Sequence, residues 1–302
     1  MNPIKQIILM ALLLAAALSF TACKSPSVYP PEKVASVNGT HLAYTEAGQG
    51  ETVVFVHGAW ADTRAWAAQR DAVSAHYRFV AYSMRYHTPN EWQDNGSLYS
   101  MQTHTADLAA FIKSLNVGPV HLVGHSFGGQ VAAQLAMEHP ELVKSLVLEE
   151  ASIFTVLDSP AGKAAAGDFF KPAPLAKDAL KMGDSLKATQ VMMDSLLGDS
   201  NGWDKLPPSF VAMLSDNAKT MGPFMAATPP AVGCVQVGTI KAPTLIIEGD
   251  HSIAFFREID NVLLRCIAGS ERVVITGADH LVQLRNPMAM NDALLAFLGK
   301  HS

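Results

Sequence analysis

Charge is sparse in this sequence: Asp, Glu, Lys and Arg make up 16% of its 302 residues and the net charge is -5. A chain that grips nucleic acid needs a basic face or stripe. No block of like charges occurs here, so no nucleic-acid partner is expected. Cysteine is scarce as well, with three in the chain. Neither Cys234 nor Cys266 has another Cys or a His at metal-ligand spacing, so no zinc and no other metal is expected. Internal repeats and extended low-complexity tracts are missing too, which removes solenoids and fibrous arrays. What remains is ordinary globular material, 49% apolar, enough to bury the core of one large or two small domains.

The N-terminus has its own pattern. Lys5 precedes an apolar run from Ile7 to Phe20 that is short for a membrane span, which takes about 20 residues. The stretch reads as a secretory signal over 1–22. It ends in Leu18-Ser19-Phe20-Thr21-Ala22-Cys23, which resembles the lipobox of bacterial lipoproteins. That resemblance implies cleavage before Cys23, acylation of its thiol and a membrane-tethered chain exported to the cell envelope. Lys24, rather than Asp, after the cysteine implies the outer membrane and a periplasmic domain. A plain cleaved signal with secretion, and an uncleaved anchor, are the other readings. Residues 23–31 form a Ser- and Pro-containing tether. In an oxidising compartment Cys234 and Cys266 can form one disulfide; otherwise they are two buried thiols.

The folded domain is expected over 32–302. Asn38-Gly39, between Val34–Val37 and His41–Tyr44, favours the positive φ of a two-residue hairpin turn. Short apolar runs follow at Thr52–Val56, Arg78–Tyr82, Val120–Val123, Ser145–Leu148, Thr244–Ile247 and Arg272–Ile275. Near-continuous Val, Leu and Ile mark strands buried on both faces of a parallel sheet. Asp107–Leu115, Gln130–Met137 and Met288–Leu298 have the composition of crossover helices. The class is therefore α/β, with a mostly parallel doubly wound sheet. Residues 152–239, rich in Gly, Pro, Ala and Met and without a convincing strand, read as an inserted helical cap. Its Met192, Met193, Met213, Met221 and Met225 are expected chiefly as core filling, with a pocket lining as the alternative.

The chemistry concentrates in Gly124-His125-Ser126-Phe127-Gly128-Gly129, directly after a strand and opening a helix. Small residues on either side allow the sharp turn that lifts a serine hydroxyl clear of the sheet at the positive end of a helix. From about Lys33 onward the chain resembles the α/β-hydrolase superfamily. That resemblance implies Ser126 as nucleophile and His280, in the loop after Val273-Val274-Ile275, as general base. It also implies an oxyanion hole from the amides of Ala59, in His57-Gly58-Ala59-Trp60, and Phe127. His57 and Trp60 are read as packing residues, and Asp279 as solvated.

The triad acid has two candidates. Where relatives carry Gly-x-x-Asp this chain has Gly249-Asp250-His251-Ser252, so Ser252 occupies the expected position and Asp250 comes early. Glu150, in Leu148-Glu149-Glu150 at the mouth of the preceding strand, is preferred; Asp250 is the alternative and Glu149 a third. The usual Asp-x-Arg-Gly-x-Gly loop is replaced by Ser83-Met84-Arg85-Tyr86-His87-Thr88-Pro89-Asn90, where His87 is read as structural. The expected function is cofactor-free hydrolysis of a small carboxylic ester or related acyl substrate through an acyl-enzyme. Carbon-carbon hydrolysis or perhydrolysis on the same triad, or a surface lipoprotein that binds without turnover, are the alternatives.

Overall fold

Eight strands in one sheet account for the apolar runs, in a computed structural model that describes residues 33–302. The expected signal, Cys23 and the tether lie outside the described residues. The strands are β1 (Lys33–Val37), β2 (Thr40–Ala47), β3 (Thr52–Val56), β4 (Arg78–Tyr82), β5 (Val120–His125), β6 (Val143–Glu149), β7 (Thr244–Gly249) and β8 (Glu271–Ile275). Their spatial order is β1-β2-β4-β3-β5-β6-β7-β8, antiparallel through the first three and parallel from β4 onward. Asn38 and Gly39 turn the opening hairpin at φ 47 and φ 70, the left-handed values that an Asn-Gly pair tolerates. Every residue of β3, β5 and β7 is buried, so these strands have no solvent face and need none of the polar alternation of an open sheet.

Helices cover both faces. Before the cap come α1 (Ala67–Ser74), α2 (Met101–Ser114) and α3 (Phe127–Glu138). Helix α2 starts at Met101 rather than Asp107 because the Ser100 hydroxyl caps it, accepting from the Thr103 amide at 3.1 Å. Helix α3 starts at Phe127, so Ser126 stands directly on its N-terminus. Between β6 and β7 the chain forms α4 (Pro160–Phe170), α5 (Ala173–Lys181), α6 (Ser185–Leu197), α7 (Pro208–Asn217), α8 (Met221–Ala226) and α9 (Cys234–Val237), with no strand among them. Between these strands the chain is helices joined by loops. Helices α10 (Ala254–Cys266), α11 (Val282–Arg285) and α12 (Pro287–Lys300) complete the domain. Helices α1 and α10 were not among those read from the sequence. In α10, Phe255, Phe256, Ile259, Val262 and Leu263 face the core at a helical spacing that marks the segment clearly.

A disulfide joins Cys234, at the start of α9, to Cys266, at the end of α10. It ties the last cap helix to the helix whose first turn carries Phe255 and Phe256. Closing a loop with a sequence separation of 32 removes enough unfolded-chain entropy to stabilise the fold by about 3–4 kcal/mol. Cys266→Ser is expected to lower the free energy of unfolding by about 3–4 kcal/mol, with a steeper denaturant slope from the less constrained unfolded chain; an unaltered free energy of unfolding would show that the bond constrains nothing.

Candidate active site

Strand β5 ends at His125, and the chain must reverse into α3 within one residue. Ser126 takes up that reversal at φ 53, ψ -119, a conformation that costs a non-glycine residue about 1–3 kcal/mol. The flanking glycines are fixed by space. A Cβ on Gly128 would lie 2.3 Å from the carbonyl oxygens of Val56 and His57, and one on Gly124 would lie 2.6 Å from the Gly128 carbonyl. The turn is locked in place because the Ser126 amide donates to the Glu149 carbonyl at 2.9 Å and the Ser126 carbonyl accepts from Gln130 and Ser152 at 3.1 Å.

His280 sits in the loop after β8, almost fully buried. Its Nδ1 faces Glu150 Oε2 at 3.4 Å, and its ring stacks on Phe256 with centroids 4.0 Å apart. Glu150, just past the end of β6, adopts φ 48, which turns its side chain from the strand toward the loop. Its Oε1 accepts from the Gly249 amide at 2.8 Å and the Ser252 hydroxyl at 2.6 Å. Asp250 faces elsewhere: its Oδ1 accepts from the amides of Gly277 at 2.7 Å and Ala278 at 3.2 Å. It holds the start of the His280 loop and does not approach the imidazole, so the alternative acid is corrected to a loop clamp. Glu149 accepts from the Gln283 amide. Asp279, read as solvated, instead pairs with Arg285 at 2.9 Å and accepts from the Leu281 amide.

Ala59, Ser126, Phe127 and His280 share the wall of one cavity of about 260 Å³ beneath the cap. Ala59 leads into Trp60, itself at φ 61, and Phe127 is the first residue of α3, whose amide has no carbonyl partner within the helix. Of the six cap methionines, Met192, Met193 and Met225 line the cavity, Met213 and Met221 are packed in the core, and Met182 is exposed, so the five expected as filling or lining serve both roles. His57 is structural: its Nε2 accepts from the Met84 amide at 3.0 Å. His87 packs edge-on against His57 with Nδ1 donating to the Arg85 carbonyl. Arg85 in turn pairs with Asp107 at 2.6 Å, and Asn90 Nδ2 donates to the carbonyls of Ser83 and Met84. The unusual loop is thus a clasp beside the site. Among the described residues no group of three or more His, Cys, Asp or Glu could hold a metal ion.

Residues 53–293 match the Alpha/beta hydrolase family. The chain belongs to this family. It is similar, at 24% identity over 86% of this chain and 95% of the relative, to (E)-2-((N-methylformamido)methylene)succinate hydrolase of Acinetobacter baylyi. A 2-hydroxy-6-oxo-6-(2'-aminophenyl)hexa-2,4-dienoic acid hydrolase of Metapseudomonas resinovorans is 25% identical over 92% and 94% of the two chains. Among solved structures, Est816, described as an N-acyl homoserine lactone degrading enzyme, superposes with a TM-score of 0.70 at 23% identity, over 88% of this chain and 100% of its own.

Two residues of this hydrolase escaped the sequence reading. His125, inside the Gly-x-Ser-x-Gly motif, donates from Nε2 to the His280 carbonyl at 2.9 Å and lies ring to ring with it at 4.7 Å; nothing in the motif signals this. Ser252 stands where the resemblance implies an acid, and that position is the signal for the hydroxyl that donates to Glu150. Burial lowers His280 to about 3, against the pull of Asp279. Burial raises Glu150 to about 8, while Ser252 and Gly249 draw it down. Both shifts favour the uncharged pair. The His280 ring is therefore expected to stay neutral in a nitrogen-15 NMR titration from pH 7 to 5, where an exposed histidine gains its proton near 6.5. Because the Ser252 hydroxyl stabilises the ionised carboxylate, Ser252→Ala is expected to move the Glu150 carboxyl titration upward; an unmoved or lowered titration would contradict the hydrogen bond's role.

Proposed function

We propose that the chain is a serine hydrolase that cleaves a small carboxylic ester or related acyl substrate through an acyl-enzyme, with Ser126 as nucleophile, His280 as base and Glu150 as the triad acid. One observation carries this reading: a strained serine, an imidazole facing Glu150 and the residues of two amide donors converge on one apolar cavity. His280 Nε2 takes the Ser126 hydroxyl proton as Oγ attacks the carbonyl carbon, and the amides of Ala59 and Phe127 receive the resulting oxyanion. Collapse breaks the ester bond, and the His280 proton leaves with the alcohol. A water then gives its proton to His280 and attacks the acyl-enzyme, releasing the acid and restoring Ser126. Neutral imidazole is the form this sequence needs, and burial supplies it. The cavity's size and apolar walls fit a compact acyl group.

Short-chain p-nitrophenyl esters test this reading. Ser126→Ala is expected to reduce kcat by about 10⁶-fold and Glu150→Gln by about 10⁴-fold. Asp250→Asn keeps an oxygen for the Gly277 and Ala278 amides and is expected to stay within a few-fold of the parent. If the parent chain is as inert as Ser126→Ala and a fluorophosphonate leaves Ser126 unlabelled, ligand binding without turnover replaces the hydrolase reading.

We propose further that Cys23 is the acylated N-terminus of an exported chain. The lipobox-like sequence supports this, and so does the Cys234–Cys266 disulfide, since such bonds persist outside the reducing cytosol. Radiolabelled palmitate is expected to enter the chain in bacterial cells and to be lost in Cys23→Ser; equal labelling of both would sink the proposal.

A further inference from the structure

The cavity wall carries a marked imbalance of charge. Lys177, on α5, is the only Lys, Arg, Asp or Glu that lines it among the described residues. The rest of the wall is largely aromatic and aliphatic, and the cation stands at the outer rim, where Lys177 is exposed to solvent. A lysine on a cap surface is commonplace. One that supplies the sole formal charge of a catalytic cavity sets the potential felt by anything entering it, because low-dielectric walls weaken the competing screening of water.

A continuous aromatic face runs from that rim to the reacting centre. Phe170 touches Phe169 with ring centroids 4.7 Å apart, and Phe169 stacks on Phe255 at 4.3 Å. Phe255 meets Phe256 at 5.0 Å, and Phe256 stacks on the His280 ring at 4.0 Å. All four phenylalanines line the cavity, and Phe170 lies at the end of α4, just before the helix that carries Lys177. An apolar acyl chain or ring lying along this face with its scissile carbonyl at Ser126 shares the cavity with Lys177. With no carboxylate on the wall to repel it, the complementary group at the far end of such a substrate is an anion.

We infer that Lys177 is a specificity-determining residue that selects acyl substrates bearing a terminal carboxylate, such as half-esters of medium-length dicarboxylic acids. The inference rests on the proposed ester-hydrolase reading and adds the class of acyl group. The lysine binds the distal carboxylate and takes no part in proton transfer, so its effect falls on KM more than on kcat.

The measurement is a ratio: kcat/KM for p-nitrophenyl half-esters of glutaric, adipic and suberic acids, each divided by that for the neutral p-nitrophenyl ester of the same length. The parent chain is expected to favour the half-ester by about 2- to 10-fold at its best length, the range of a partly exposed ion pair. Lys177→Arg retains the preference, Lys177→Gln brings the ratio to about one, Lys177→Glu takes it below one, and rising ionic strength shrinks it in the parent. A parent ratio of one or less at every length, or a preference that survives Lys177→Gln, overturns the inference. Failure of the ester-hydrolase reading is told apart by an absence of Ser126-dependent turnover of either ester class. In that event calorimetric binding of monomethyl adipate against methyl hexanoate to Ser126→Ala, with and without Lys177→Gln, decides the role of Lys177 by the same ratio.

Discussion

The contact between Glu150 and His280 binds together the carboxyl ends of three neighbouring strands. Glu150 follows β6, its supporting donors Gly249 and Ser252 belong to the end of β7, and His280 comes from the loop after β8. A sheet in this register brings those ends side by side, but a carboxylate on a regular strand would point into one of the faces. The left-handed backbone at Glu150 redirects it along the strand axis, over the top of the sheet. The same device appears at Ser126, whose amide is held by the Glu149 carbonyl one residue before Glu150. Two adjacent strands thus end in strained residues, the first held by the carbonyl just before the second. Rigid strands on either side oppose relaxation of that strain, which is how such conformations persist in a folded chain.

Most of this frame could be read from residue types. Continuous apolar runs gave the buried strands, Asn38-Gly39 the hairpin, and the Gly-x-Ser-x-Gly turn between strand and helix the position of Ser126. The parts that escaped have physical causes. Helix α2 begins at Met101 because of a single serine cap, a signal weaker than the apolar periodicity that starts near Asp107. Helix α10 follows a strand through a short loop, and its two leading phenylalanines look like a further strand until the later spacing is counted. The pairing of Cys234 with Cys266 depends on how the cap returns to the sheet, a tertiary fact with no local signature. The aromatic rings beside His280 come from α4 and α10, far apart in sequence, and only packing brings them into one face.

The buried carboxylates beside the site differ in the donors aimed at them. Beside Glu248, which pairs with Arg272, three are buried near one another without a Lys or Arg partner: Glu149, Glu150 and Asp260. Burial raises all three above the ordinary carboxylate range, since a low-dielectric interior penalises the charged form. They differ in what their oxygens receive. Asp260 has no hydrogen-bond partner on either oxygen among the described residues, and Glu149 has one, the Gln283 amide. Glu150 receives Gly249, Ser252 and the His280 ring. A negative charge is stabilised by donors aimed at it, and each donor removed leaves the neutral acid favoured. Glu150 is therefore the carboxylate whose ionised form is best stabilised, and the acidity of its neighbours is suppressed by the same burial. Ser252, just past the end of β7, supplies one of those donors through its hydroxyl at 2.6 Å.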